Sequence, residues 1–225
     1  MGMARLANPA PMTQREIDAL VLCAEHCGIP YDLLAGLLDV PAARVRRIVG
    51  RWCDLGWAAA GRLGDGPDWC WLLPAGMRLI DSPYRAAPPN PARLAHSRAV
   101  LAVRLRFSAS DPRAQWRPER DIAGGGTVLT SGPHVADGEL RWPEGGRFGG
   151  QVWAIEVELT PKSLGRTGQI IGDLLRNPAG YAAVVYLVSP AARSVVFRAV
   201  EELAPEQRAK VSVRPAPAEA FIVLP

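Results

Sequence analysis

The sequence predicts an α/β protein in two parts, an N-terminal helical unit closed by a short hairpin and then a mixed sheet flanked by helices. Three observations carry this expectation. The first 56 residues hold apolar positions at helical spacing, and two tryptophan-bounded runs follow them across a turn-rich segment. Asp81–Pro91 (DSPYRAAPPNP) then holds four prolines in eleven residues, which disfavours both helix and central strand. Beyond it, strand patterns meet first through hairpin-length turns and later through a helical run, as in a sheet with helices on both faces. With 225 residues, 48% of them hydrophobic, the chain can bury one substantial core or two modest ones; two are expected, with the boundary at 84/85.

Thr13 and Glu16 have capping-box spacing, and Ile17, Leu20, Val21 and Ala24 recur at helical intervals until Gly28. A second helix is expected over Tyr31–Leu38. A third begins after Pro41, with Val45, Ile48, Val49, Trp52 and Leu55 on one face and Arg47, Arg51 and Asp54 pointing away, and it stops at Gly56. Trp57–Arg62 and Trp69–Leu73 flank GDGPD and read as a hairpin. After the proline-rich segment, Ala92–Phe107 is helical and apolar on two sides, as a sandwiched helix would be. There follow a strand from Trp116, a glycine loop at Gly124–Gly126, strands around Val135 and over Val152–Leu159, a helix over Ser163–Arg176, and a strand over Tyr181–Val188. A helix near Ala191–Leu203 and strands around Val211 and Phe221 complete the order.

Charge is unevenly spread. The formal net charge is +4, and 24 of the 26 basic residues are arginine, the exceptions being Lys162 and Lys210. Residues 1–84 carry 8 arginines against 9 acids, whereas residues 85–120 carry 8 against Asp111 and Glu119 alone. A local excess of that size attracts a polyanion, or it is a solvated, arginine-rich linker. No apolar run is long enough for a membrane span and the N-terminus lacks the order of a signal peptide, so a cytoplasmic protein without membrane contact is expected. Cys23, Cys27, Cys53 and Cys70 read as reduced thiols at small core positions. A zinc site would more often pair its ligands as CxxC on a turn. No dinucleotide fingerprint is present, and no helix with Lys-Ser or Lys-Thr follows Gly124–Gly126 to make a phosphate loop.

The segment VWAIEVEL places Glu156 and Glu158 on one strand face with Ala154, and Trp153, Ile155 and Val157 on the other. Two neighbouring carboxylates in a partly buried site repel unless a lysine, an arginine or a divalent cation resolves them. Two readings stand side by side. In one, Asp137, Glu156, Glu158 and Lys162 form a catalytic group; in the other, the acids are ion-paired with Arg120, Arg141 or Arg166 and the site is structural. His96, on an apolar helix, reads as a hydrogen-bonded core residue. His134 would point away from Asp137 on a regular strand and is set aside.

The pattern LLAGLLDVPAARVRRIVGRWCDLGW, followed by WLLPAGMRLI, resembles bacterial winged helix-turn-helix domains. That likeness implies that Arg44, Arg46, Arg47 and Arg51 meet double-stranded DNA and that Arg62 sits on the wing. A winged helix used for protein contacts is the other possibility. The second part resembles the PD-(D/E)xK nuclease superfamily. With the first part attached, the chain is similar to the replication-relaxation family of actinobacterial plasmids and integrative elements. The residues that carry this are His96 in ARLAHSRAVL, Trp116 and Glu119 in WRPER, Asp137 in HVADGEL, and Glu156 and Glu158 in AIEVELTPKS. The resemblance implies Mg²⁺ or Mn²⁺ on Asp137 and Glu156, with lysine stabilising developing charge. Glu158 stands at the usual lysine position, and Lys162 lies four residues on. DNA endonuclease activity in a mobile element is one implied function. The other is a non-catalytic regulator or assembly factor contacting replication or transfer proteins, or a second copy of itself.

Overall fold

The computed structural model describes residues 11–124 and 134–221. The Thr13 capping box forms: its side chain accepts from the Glu16 amide while the Glu16 carboxylate accepts from the Thr13 amide. Helix α1 (Gln14–Glu25) starts there. A two-residue strand β1 (Ile29–Pro30) leads into α2 (Tyr31–Leu38), and α3 (Ala42–Asp54) follows an extended Pro41. Strands β2 (Ala58–Gly61) and β3 (Trp69–Leu72) form the expected hairpin. β1 was not foreseen: it adds to the far side of β3 and makes a three-stranded sheet in the order β1-β3-β2. A short α4 (Pro74–Leu79), also unforeseen, packs so close to the hairpin that a Cβ on Gly76 would meet the Trp57 carbonyl oxygen at 2.1 Å.

The second part begins with α5 (Leu94–Ser110), then β4 (Gln115–Pro118) and a single turn, α6 (Glu119–Ile122). Strands β5 (Gly138–Arg141) and β6 (Val152–Glu158), helix α7 (Leu164–Leu175), strand β7 (Ala183–Val188), helices α8 (Pro190–Glu201) and α9 (Pro205–Arg208), and strand β8 (Val211–Pro215) complete it. The five strands lie in chain order, β4-β5-β6-β7-β8. The first three are antiparallel, and β6, β7 and β8 are mutually parallel. The α/β expectation therefore holds as a five-stranded mixed sheet with flanking helices.

One expected strand shifts. Pairing begins at Gly138 rather than around Val135, because the carboxylate of Asp137, not its backbone, accepts the Val157 amide at 2.8 Å. A 3-10 turn (Ala218–Ala220) precedes Phe221, and the rest of the strand expected there falls outside the described residues. Gly124 follows α6, and the rest of the expected glycine loop falls outside the described residues.

Strand periodicity divides the sheet. Ile155 and Val157 face α5, with Leu140, Val185 and Leu187 beside them, and this cluster continues into Leu20, Leu34, Trp52 and Trp69 of the N-terminal elements. Ala154, Val184, Tyr186 and Val188 face α7 and α8 on the other side. One apolar cluster thus runs across residue 84. Around it, Arg98 of α5 forks onto Asp32 of α2, and Arg104 pairs with Glu25 at the end of α1. Among the described residues no helix is long and apolar enough to cross a membrane.

Candidate functional site: a carboxylate and histidine cluster beside a cleft

β5 and β6 run antiparallel, so the residue before β5 lies beside the C-terminal half of β6. This brings Asp137 to Glu156: the Asp137 amide donates to Glu156 Oε1 at 3.3 Å. Gly138 is required here, since a Cβ would stand 2.1 Å from the Trp116 ring of β4. From the opposite layer the first turn of α5 brings His96, whose Nε2 lies 2.8 Å from Asp137 Oδ1. His134 reaches Glu156 Oε1 through its own Nε2 at 3.0 Å. The cluster is therefore two carboxylates, each holding one imidazole, coupled through a backbone amide.

Electrostatics follow from burial and these contacts. Burial pushes the Asp137 carboxyl up, but the His96 hydrogen bond and charge, the Val157 amide and His134 together bring it below the ordinary aspartate range. Glu156 goes the other way. Burial, then the charge of Asp137, raises it to about 7 against the pull of His134. Both imidazoles are lowered by burial and more than restored by their carboxylates, ending above the ordinary value. Tyr186, paired in register with Glu156, is raised by burial and by the charges of Glu156, Glu158 and Asp137; its hydroxyl is buried with no hydrogen-bond partner among the described residues.

His96 and Asp137 open onto a cleft of about 670 Å³. One wall is the end of α1 (Glu25 to Cys27), another the proline-rich segment Arg85–Asn90, and the floor is the start of α5 with Glu119 and Arg120. The His96 side chain is 28% exposed, whereas Asp137 is 10% exposed. An imidazole on the cleft wall with its carboxylate behind it can accept a proton from a bound group and return it.

The residues singled out in the sequence separate. Asp137 and Glu156 come together. Glu158 does not join them: it is 6% exposed and ion-paired with Lys162, so the lysine is engaged locally rather than directed at Asp137. The expected arginines do not pair with these acids: Arg120 donates to the carbonyls of Ala24 and Arg85, Arg166 donates to Gln169, and Arg141 is exposed at the end of β5. Arg44, Arg46 and Arg47 are exposed on α3 and Arg62 is exposed after β2, while Arg51 is ion-paired with the buried Glu16 of α1. His96 and His134 were missed as site residues. Their signal was scarcity, since the chain has three histidines, and two of them sit on the two carboxylates.

No family model and no curated protein matches the chain. Among solved structures it is similar to N,N-8-amino-8-demethyl-D-riboflavin dimethyltransferase (RosA) of Streptomyces davawensis. The identity is 16% and the TM-score 0.23, over 90% of this chain and 61% of that one. For human N-acetylserotonin methyltransferase in complex with SAM the figures are 8%, 0.24, 91% and 61%. For PigF with SAH they are 12%, 0.21, 90% and 62%. The chain spans about three fifths of the length of these proteins. TM-scores this low are those of unrelated topologies, and the activities named belong to those proteins.

These findings correct several expectations. No family model matches the chain, that of the replication-relaxation family included, and no curated protein matches it. Membership in that family, DNA endonuclease activity, the non-catalytic regulator of a mobile element, and double-stranded DNA, transfer proteins or a second copy as partners are therefore withdrawn. Mg²⁺ or Mn²⁺ on Asp137 and Glu156 is withdrawn as well. Among the described residues no group of three or more His, Cys, Asp or Glu side chains is placed to hold a metal ion. The physical reason is that each carboxylate is directed at an imidazole and at backbone amides, not at a shared point.

Proposed function

We propose that the chain carries an acid–base site for a small molecule bound in the cleft, with His96 as the proton-transferring group and Asp137 as its positioning partner. The observation that supports this most strongly is the 2.8 Å contact between His96 Nε2 and Asp137 Oδ1 at the cleft wall. The carboxylate stabilises the imidazolium formed when the ring accepts a proton and fixes which nitrogen carries it; Nδ1, with no partner among the described residues, is left to face a ligand. Glu156 and His134 form a second layer, which holds the Asp137 amide and tunes the charge behind it. Glu158 and Lys162 act as a structural pair at the end of β6.

For the scaffold we propose the finer reading of two units meeting at 84/85. Residues 1–84 have the three-helix-and-hairpin plan of a winged helix. Residues 85–225 have the strand order of a PD-(D/E)xK-like sheet, each taken as architecture alone. The element order α1-α2-α3-β2-β3 and α5-β4-β5-β6-α7-β7 supports it.

Hydrolysis of p-nitrophenyl acetate, a small ester whose cleavage needs little beyond a basic imidazole, tests the acid–base reading. The full chain should hydrolyse it faster than His96→Ala by about 10²-fold or more, the usual contribution of a positioned proton-transfer group. Equal rates in the two proteins would sink the reading.

A further inference from the structure

The charges lining the cleft are not balanced, and the imbalance names the kind of molecule it takes. Each carboxylate in the wall has its own cation: Glu25 is paired with Arg104, Glu119 with Arg93, and Asp137 with His96. Two arginines in the same wall, Arg85 and Arg120, have no carboxylate partner among the described residues. Arg120 is nonetheless held in place. One terminal nitrogen donates to the Ala24 carbonyl at 2.6 Å, the other to the Arg85 carbonyl at 2.9 Å, and the guanidinium lies 4.5 Å from the centre of the Tyr84 ring. Hydrogen bonds to carbonyls orient the group and leave its charge uncompensated, so an incoming anion meets a cation whose orientation has already been fixed.

The opposite requirement comes from the proline-rich wall. Ala86, Ala87, Pro88 and Pro89 present an apolar surface, and Val100 of α5 continues it. A ligand for this cleft therefore combines an anionic head with an apolar body. A volume of about 670 Å³ is within the range of pockets that enclose small organic molecules.

We infer that the cleft binds a small organic anion, its carboxylate or equivalent head on Arg120 and Arg85, its apolar body along Ala86–Pro89, and its reacting end toward His96. This rests on the cleft being the ligand site of the acid–base reading, but it concerns binding and not proton transfer. The two therefore fail separately.

The test is calorimetric titration of the full chain with 4-phenylbutyrate and with its neutral isostere 4-phenylbutyramide. The carboxylate should bind and the amide should bind at least tenfold more weakly. Arg85→Gln should remove most of the difference. Its exposed side chain holds nothing else among the described residues, so this variant keeps the test usable if Arg120→Gln disturbs the wall it supports. Equal affinity for acid and amide, or an acid affinity untouched by Arg85→Gln, would overturn the inference. So would absence of carboxylate binding in a protein that still hydrolyses p-nitrophenyl acetate through His96, and that outcome would leave the acid–base reading standing.

Discussion

At the scale of single residues, the cluster's proton inventory makes a stability prediction whose sign can be worked out. Glu156 sits near 4.3 in an unfolded chain and is raised to about 7 in the fold. The folded state therefore holds the proton more tightly. The resulting stability is fully present below about pH 4 and is lost as pH rises toward 7. His96 and His134, raised above 6.5, lose their contribution in the same direction but at higher pH. His26, buried beside Arg104 and lowered well below 6.5, works oppositely, its penalty disappearing as pH rises to 6.5. The informative quantity is therefore the difference between Glu156→Gln and wild type in urea unfolding. That difference should shift in favour of the glutamine variant by on the order of 2 kcal/mol between pH 5 and pH 8. A constant difference, or one moving the other way, would mean that Glu156 is not the buried, proton-holding carboxyl described. The juxtaposition of Asp137 and Glu156 was legible only through the likeness to a nuclease core, since strand periodicity by itself paired Glu156 with Glu158, which Lys162 takes up instead. Their partners were not: residues 134–137 are not a regular strand, so alternation of faces does not govern His134, and His96 comes from α5, far away in the chain.

At the scale of elements, helix starts and strand faces were read well because caps and periodicity act over a few residues. Thr13 with Glu16 began α1 as expected, and Ile155 and Val157 went to one core while Ala154 went to the other. What the pattern missed were elements made by tertiary contact. β1 is two residues long and exists because β3 offers it an edge, and α4 and α6 are single short helices pressed against the sheets. The β4–β5 junction carries a sharp prediction of its own. Because the Trp116 ring occupies the space a Gly138 side chain would need, Gly138→Ala should destabilise the fold by about 1 to 3 kcal/mol and displace Asp137 from His96. A melting temperature and a His96 titration both equal to wild type would contradict that packing.

At the scale of the whole molecule, the cleft exists only because two stretches meet. Its walls come from residues 25–27, 85–100, 118–120 and 137, and no spacing rule links such distant segments. The sequence boundary at 84/85 reflects the composition of the proline-rich segment, while the apolar cluster continues from Trp52 and Leu34 through α5 to Ile155 and Val185. A shared core couples the unfolding of both stretches. Urea unfolding followed by tryptophan fluorescence and by far-ultraviolet circular dichroism should give one coincident transition, and two separated transitions would contradict the continuous core. The proposed chemistry depends on His96 and Asp137 being one proton-transferring pair at the cleft wall. The most direct test is an NMR titration of the His96 imidazole in the full chain, in wild type and in Asp137→Asn. The His96 imidazole should titrate above 6.5 in wild type and, with the Asp137 charge removed and burial and Arg93 outweighing Glu119, below 6.5 in the variant. Identical titration curves in the two proteins would contradict that pairing.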